Sequence, residues 1–297
     1  MKSRGELKTE QQNLQSSKID SMSINDILKT INREDQNIAI AVQTTIRDIE
    51  KTVELTVNSI RKGGRVFYVG AGTSGRLGVL DASEIPPTYS VPKGLFIGVI
   101  AGGENALRNS VEGAEDRPNE AIIDLAQYEL NENDTLVGIS CSGAASYVVS
   151  ALEHAKANGA KTVYLVTNPN PYKITEVDVI INAVTGPEVV TGSTRMKAGT
   201  ATKLILNMIS TTTMIKLGKV YGNLMVDLMA VNDKLVDRGT RIIEQLTDLD
   251  YDDAQLKLFE AEKSVKTAIV MGKFNCTLNE AREKLENASG FLRNLID

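Results

Sequence analysis

The sequence has 297 residues, of which 42% are hydrophobic, enough for a substantial core. Its 33 basic and 38 acidic residues give a net charge of −5 without basic clusters, so nucleic acid is not an expected partner. One histidine, His154, and two cysteines, Cys141 and Cys276, supply neither a disulfide framework nor a zinc ligand set. We therefore expect no metal, and carboxylates must carry any acid–base chemistry.

The N-terminal part of the chain is polar and then helical. Residues 1–22 are expected to form an arm that is mobile or docks elsewhere on the protein. They lack the apolar stretch of a signal peptide, and no later segment has the roughly 20 apolar residues of a membrane span. We therefore expect a cytoplasmic protein that does not contact a membrane. From Ser23, a predicted helix cap, a helical period continues to a predicted stop at Gly63-Gly64.

Five short apolar segments follow, and they are predicted to be strands. They cover 65–70, 95–100, 134–140, 161–167 and 178–183. Continuously apolar strands are typical of a sheet covered on both faces, and the segments between them, such as 117–130 and 144–159, are long enough for helices. The pattern predicts a three-layer α/β fold with a parallel sheet. His154 lies in one predicted helix, where a structural or solvent-facing role is expected.

The C-terminal part of the chain is predicted to be helical throughout. From about residue 195 the strand signal stops. Residues 259–297 predict three or four short helices, with turns at Gly272 and near Ser289-Gly290. The predicted organisation is an arm at 1–22, a ligand-binding α/β domain with flanking helices at 23–224, and a small helical domain at 225–297.

Two loops that follow predicted strands combine glycine with hydroxyl side chains. Residues 70–75 read Gly-Ala-Gly-Thr-Ser-Gly, and residues 140–143 read Ser-Cys-Ser-Gly. Because ligands bind beyond the carboxyl ends of parallel strands, where helix N-termini offer N–H groups to anions, a compact phosphosugar is favoured. One alternative is a dinucleotide-binding turn, although the next strand ends in alanine and glycine rather than in an acid. The other is a purely structural pair of glycine turns.

Two acids near these loops are candidates for acid–base chemistry. Glu84 lies on the segment that the first loop begins, and Glu115 follows the second predicted strand. Both stand among small or uncharged residues, although most glutamates are solvated surface groups and that interpretation stays open. Spacing alone does not exclude their neighbours Asp81, Glu112 and Asp116.

Three long motifs are characteristic of one family. They are GAGTSGRLGVLDASEIPPTYSV, IAGGENALRNSVEGAED and GPEVVTGSTRMKAGTATKLILNMIST. Together they resemble the N-acetylmuramic acid 6-phosphate etherase family of the sugar isomerase (SIS) domain superfamily. The resemblance implies a flavodoxin-like SIS domain with N-terminal helices and a small C-terminal helical domain. It also implies a cofactor-free lyase that converts N-acetylmuramate 6-phosphate to N-acetylglucosamine 6-phosphate and D-lactate in cell-wall recycling. Members of the family are homodimers with sites near the subunit interface, so a homodimer is expected.

The resemblance also implies the roles of individual residues. Glu84 falls on the acid of the family and Glu115 on its second carboxylate. From the chemistry of an elimination we assign Glu84 as the acid to the ether oxygen and Glu115 as the base at C2, and the resemblance alone does not fix which glutamate has which role. The substrate-binding residues it implies are Gly72, Thr73, Ser74, Gly75, Ser140, Ser142, Gly143, Ser193, Thr194 and Arg195. The second loop departs from the family, because Ala144-Ala145-Ser146 replaces Arg-Thr-Pro. A phosphosugar isomerase of the same fold is one alternative, and a non-catalytic phosphosugar-binding regulator, such as the glucokinase regulatory protein, is another.

Overall fold

The computed structural model describes residues 4–228 and 230–297 and divides the chain into two compact units. Unit 1 comprises Met1–Ser83 and Gly94–Ser210, and it contains the sheet. Unit 2 comprises Glu84–Lys93 and Thr211–Asp297. None of the helices in the described ranges combines the length and the hydrophobicity that crossing a bilayer requires.

Unit 1 begins with short 3₁₀ turns, which are followed by three α-helices. The turns are Arg4–Glu6, Lys8–Glu10, Leu14–Ser16 and Ile19–Ser21, and the helices are α1 (Ile24–Asp35), α2 (Ile38–Gln43) and α3 (Ile46–Arg61). The predicted cap is confirmed, because Ser23 Oγ accepts a hydrogen bond from the Asp26 N–H at 3.2 Å. The predicted stop is confirmed at Gly63, whose φ of 81° is left-handed.

The helical period of residues 23–62 is interrupted twice in the structure. The second interruption, between α2 and α3, has a local cause in two threonines. Thr44 Oγ1 donates to the Ala41 carbonyl and Thr45 Oγ1 to the Val42 carbonyl, each at 2.8 Å. Such side-chain hydrogen bonds compete with the backbone hydrogen bonds of a helix. The spacing of apolar residues does not reveal this competition.

Five parallel strands form one sheet in the order β2-β1-β3-β4-β5. They are β1 (Val66–Gly70), β2 (Phe96–Ile100), β3 (Thr135–Ile139), β4 (Lys161–Val166) and β5 (Val179–Asn182). The connecting helices are α4 (Gly72–Tyr89), α5 (Asn105–Arg108), α6 (Pro118–Ala126) and α7 (Ser146–Ala157), and α8 (Lys197–Lys216) follows β5. All five predicted strands and the parallel α/β fold are confirmed.

Helices cover both faces of the sheet, which gives the three predicted layers. Successive side chains of a strand point to opposite faces. Phe67 and Val69 of β1 pack in a buried cluster with residues of α6 and α7, whereas the buried Tyr68 points to the face on which α4 lies. The sheet is therefore buried on both sides, as its continuously apolar strands predict.

Unit 2 has a hydrophobic core of its own. Beyond α8 its helices are α9 (Asp233–Leu246), α10 (Tyr251–Glu260), α11 (Val265–Phe274), α12 (Leu278–Asn287) and α13 (Arg293–Ile296). The predicted turn near Ser289-Gly290 is confirmed by a positive φ at both residues. The turn predicted at Gly272 is wrong, because Gly272 lies inside α11, which ends at Phe274 and is followed by Asn275 with φ 46°. A Cβ at Gly272 would lie 3.1 Å from Thr247 Cγ2, so this glycine permits close packing.

A buried carboxylate joins the amino ends of β1 and β3, the edge of the sheet away from the glycine loops. Asp134 is fully buried, and its carboxylate accepts from the Arg65 N–H and from Arg65 Nη2, both at 2.8 Å. It also accepts from the Asn131 N–H at 3.2 Å.

We expect Asp134→Ala to lower the free energy of unfolding by about 3 kcal/mol, because it leaves buried N–H donors without their carboxylate. Urea denaturation measures the change. The control is Asp48→Ala, which removes an exposed pair with Lys51 and should cost less than about 1 kcal/mol. Equal losses in the two variants would contradict the structural role of Asp134.

Candidate functional site

The sheet order creates a crevice between β1 and β3. These strands are neighbours, but the chain leaves β1 toward β2 on one side and β3 toward β4 on the other. Ligands bind in open α/β sheets where the connections diverge in this way. A cavity of about 360 Å³ lies here, within unit 1. Its wall consists of Glu10, Ala71–Ser74, Arg76, Ala101, Ala106, Ser110–Glu115, Ile139–Ser142, Ala145, Gly192 and Thr194.

The first glycine loop forms one side of this cavity at the start of α4. Gly72, Thr73 and Ser74 belong to the wall, and Gly72 has a left-handed φ of 55°. Gly75 is not a wall residue. A Cβ on Gly75 would lie 2.6 Å from Ile100 Cγ1, so the glycine allows α4 to begin close to the sheet.

The second loop forms the adjacent side through two serines. Ser142 Oγ accepts from the Ala144 N–H at 3.2 Å, and Ser140 Oγ accepts from the Ala145 N–H at 3.4 Å. Both serines belong to the cavity wall. Because each hydroxyl has a single O–H, these contacts orient the oxygens and leave the protons available to a ligand.

The segment in which the second loop departs from the family motif is held from behind by residues 171–173. Gly143 has a φ of 72°, and a Cβ there would lie 2.5 Å from Pro171 Cα, so Gly143 permits close contact rather than lining the cavity. The Lys173 N–H donates to the Gly143 carbonyl at 2.9 Å, and Lys173 Nζ donates to Ser146 Oγ.

Glu115 is the candidate acid that the structure places on the cavity wall. It lies in the 3₁₀ turn Ala114–Asp116, which follows Gly113 in a left-handed conformation, and it is exposed. Glu112 also belongs to the wall and accepts from Ser110 Oγ at 2.6 Å. Two carboxylates from the connection after β2 therefore reach the cavity.

Glu84 is not a wall residue of this cavity. It is exposed on α4, ten residues after Ser74, in the part of that helix that belongs to unit 2. Asp81 is also absent from the wall and is buried, where it accepts from Asn207 Nδ2 at 2.6 Å and from Ser210 Oγ at 3.2 Å. Burial raises the pKa of Asp81 despite these hydrogen bonds.

The segment before α8 contributes less than the sequence predicts. Thr194 belongs to the wall together with Gly192, but Ser193 and the exposed Arg195 do not.

The sequence patterns do not single out several wall residues, among them Arg76, Cys141 and Glu10. Arg76 donates from Nε to the Leu107 carbonyl at 3.2 Å and from Nη2 to the Asn109 carbonyl at 3.0 Å. It directly follows the first loop, a position from which it could have been predicted. Cys141 Sγ lies 3.6 Å from Ser74 Oγ, and burial raises the pKa of the Cys141 thiol. Glu10 is far from the loops in sequence and has no local signal.

Comparison with known proteins identifies the family. A family model described as the glucokinase regulatory protein N-terminal SIS domain matches residues 48–156. The chain is 51% identical to the N-acetylmuramic acid 6-phosphate etherase of Oceanobacillus iheyensis over 287 residues, 97% of this chain and 98% of the relative. The chain belongs to the N-acetylmuramic acid 6-phosphate etherase family. The resemblance seen in its motifs is confirmed.

Other etherases of the family match over similar lengths. The N-acetylmuramic acid 6-phosphate etherase of Shouchella clausii is 49% identical over 291 residues, which are 98% of this chain and 98% of the relative. That of Bacteroides thetaiotaomicron is 53% identical over 84% of this chain and 90% of its own. Among solved structures, a phosphoheptose isomerase from Neisseria gonorrhoeae aligns with 64% of this chain and 98% of its own, at 14% identity and a TM-score of 0.49.

Proposed function

We propose that this protein is a cytoplasmic enzyme that cleaves the D-lactyl ether of N-acetylmuramate 6-phosphate in the recycling of cell-wall amino sugars. The products are N-acetylglucosamine 6-phosphate and D-lactate. The observation that carries the proposal is a hydroxyl-rich cavity with Glu115 on its wall, in a chain about half identical to etherases along nearly its full length. Because these relatives are named etherases, they favour this function over an isomerase or a regulator.

The phosphate end of the substrate is assigned to the two loops. Thr73 and Ser74 stand at the N-terminus of α4, while Ser140 and Ser142 precede α7. Helix N-termini present N–H groups and a positive dipole end to anions, and hydroxyls add further donors. Thr194 offers another hydroxyl from the segment before α8.

The chemistry requires two carboxylates and an opened sugar. The C2–H bond of the open chain is acidic because the C1 aldehyde stabilises the carbanion. Glu115 takes the C2 proton, the C3–O bond breaks, and Glu84 protonates the departing lactate oxygen. Water then adds to C3 of the unsaturated aldehyde, with Glu84 taking a proton from water and Glu115 returning one to C2. Acid–base catalysis of this kind contributes roughly 10² to 10⁴ per group.

Glu84 is assigned to the site of a second copy of the chain. Its exposure and its absence from the wall of the cavity that contains Glu115 support this arrangement. In a twofold-symmetric homodimer, each copy supplies the same surface to the other, so each site receives Glu115 from one copy and Glu84 from its partner.

The direct test is incubation with N-acetylmuramate 6-phosphate. We expect stoichiometric D-lactate, undiminished by a chelator and without added nucleotide. In H₂¹⁸O the C3 hydroxyl of the product should carry the heavy oxygen, because the bond breaks on the C3 side. Mass spectrometry of the sugar and an enzymatic lactate assay measure both. Aldose–ketose exchange without lactate would indicate an isomerase, and retention of the original ether oxygen on C3 would rule out elimination and hydration.

The two glutamates should differ in hydrogen exchange at C2. Glu84→Gln cannot protonate the ether oxygen, so in D₂O it should exchange the C2 hydrogen faster than it releases lactate. Glu115→Gln lacks the base and should do neither, while still binding N-acetylglucosamine 6-phosphate. Proton NMR follows the exchange, and Asp116→Asn is the matched control beside Glu115. Normal turnover in either glutamine variant would remove that residue from the mechanism.

Mixing the two inactive variants tests the shared site. If each site takes Glu84 and Glu115 from different copies, random exchange of subunits restores about a quarter of wild-type activity, since half the dimers are hybrid and half their sites are intact. If both glutamates act within one copy, the mixture stays inactive. Lactate release after co-refolding measures the outcome, with each variant refolded alone as the control.

A further inference from the structure

The N-terminal arm brings a third carboxylate to the cavity. Glu10, in the 3₁₀ turn Lys8–Glu10, belongs to the cavity wall together with Gly192 and Thr194. Its Oε2 atom lies 3.4 Å from the point where a Cβ on Gly192 would stand. The carboxylate of Glu10 and the backbone at Gly192 are therefore neighbours on the cavity wall.

The turn that carries Glu10 is anchored through the residue before it. Thr9 is fully buried, and its carbonyl accepts from the Gly192 N–H at 3.2 Å. Asn168 Nδ2 donates to Thr9 Oγ1 at 3.3 Å. Glu10 itself is exposed, so its backbone position is fixed while its side chain remains open to a ligand.

The ion pair between Glu34 and Lys197 helps to hold Asn13, in the next part of the arm, against the chain before α8. Asn13 Nδ2 donates to the Pro187 carbonyl at 3.3 Å and to Glu34 Oε2 at 2.6 Å. The same Glu34 oxygen accepts from Lys197 Nζ at 2.7 Å. Burial alone would raise the pKa of Glu34, but the hydrogen bonds from Lys197 and Asn13 outweigh it and lower that pKa. The arm is thus attached to the chain before α8 at two points, through Thr9 to Gly192 and through Asn13 to Pro187.

The Glu10 carboxylate retains the capacity to accept from a ligand. Within the described part of the chain, its one side-chain hydrogen bond is from Thr9 Oγ1 to Oε1, at 3.5 Å. Arg76, the cation of the cavity wall, directs its guanidinium to two backbone carbonyls. A carboxylate with so few protein donors around it binds a ligand most favourably by accepting a hydrogen bond from that ligand.

We propose that Glu10 determines sugar specificity by accepting a hydrogen bond from a hydroxyl or the acetamido N–H of the bound amino sugar. This inference rests on the proposed function. The phosphate and the lactyl carboxylate of the substrate are anionic acceptors that repel Glu10, so its partner is one of the neutral donors of the sugar between them. Glu10 therefore contributes to recognition of the sugar rather than of the phosphate.

The test compares two ligands in two variants. Calorimetry with N-acetylglucosamine 6-phosphate should give a Kd about tenfold higher for Glu10→Gln than for wild type, and higher still for Glu10→Ala. Inorganic phosphate, measured by competition, should bind both variants within about twofold of wild type, since a single lost sugar contact does not alter the phosphate loops. Glu6→Gln, which changes an exposed acid of the same arm outside this cavity, is the matched control and should bind both ligands normally.

Each result separates this inference from the proposed function. If wild type does not bind N-acetylglucosamine 6-phosphate, the proposed function fails. If wild type binds it and the Glu10 variants bind it equally well, the role of Glu10 is overturned while the function stands. If the Kd of both ligands rises equally, the role of Glu10 is also overturned, because that result indicates a displaced arm rather than a lost contact to the sugar.

Discussion

The site depends on the divergence of the chain at β1 and β3. Since these neighbouring strands lead to opposite sides of the sheet, the loops that follow them separate and leave a space between two helix N-termini. The anion binding that we propose for this space would rest on backbone N–H groups, whose position follows from the topology. The segments after β2 and before α8, together with the arm, then add side chains around a pocket that the sheet order has already opened.

Neutral donors rather than cations suit a site that must also contain carboxylates. A lysine or an arginine beside Glu115 would pair with it and make its carboxylate a weaker base. Hydroxyls and peptide N–H groups can bind a phosphate without such pairing. Arg76, although it belongs to the cavity wall, directs its donors to the carbonyls of Leu107 and Asn109. The cavity can therefore hold a dianion while its glutamates remain available for proton transfer.

The fold and the position of the two glycine loops on the cavity wall could be predicted from the sequence because their signals are local. Each strand is a short apolar segment, and each loop places glycine and serine directly after one. The position of Glu10 on the cavity wall could not be predicted, because it depends on where a segment far from the loops in sequence lies. Gly272 illustrates the opposite error. Its glycine is a local turn signal, but it lies inside a helix, where the absence of a side chain permits close packing against Thr247.

The attachment of the arm has a consequence for biosynthesis. The contact between Asn13 and Pro187 joins residues 174 positions apart. At typical translation speeds of about 5–20 residues per second, the ribosome needs roughly 9–35 s to produce the second after the first. Strands β1 to β3 and their loops are all made within that interval. A nascent chain therefore acquires its two glycine loops well before the part of the wall formed by Glu10 and Gly192, which cannot be completed until synthesis has passed residue 192.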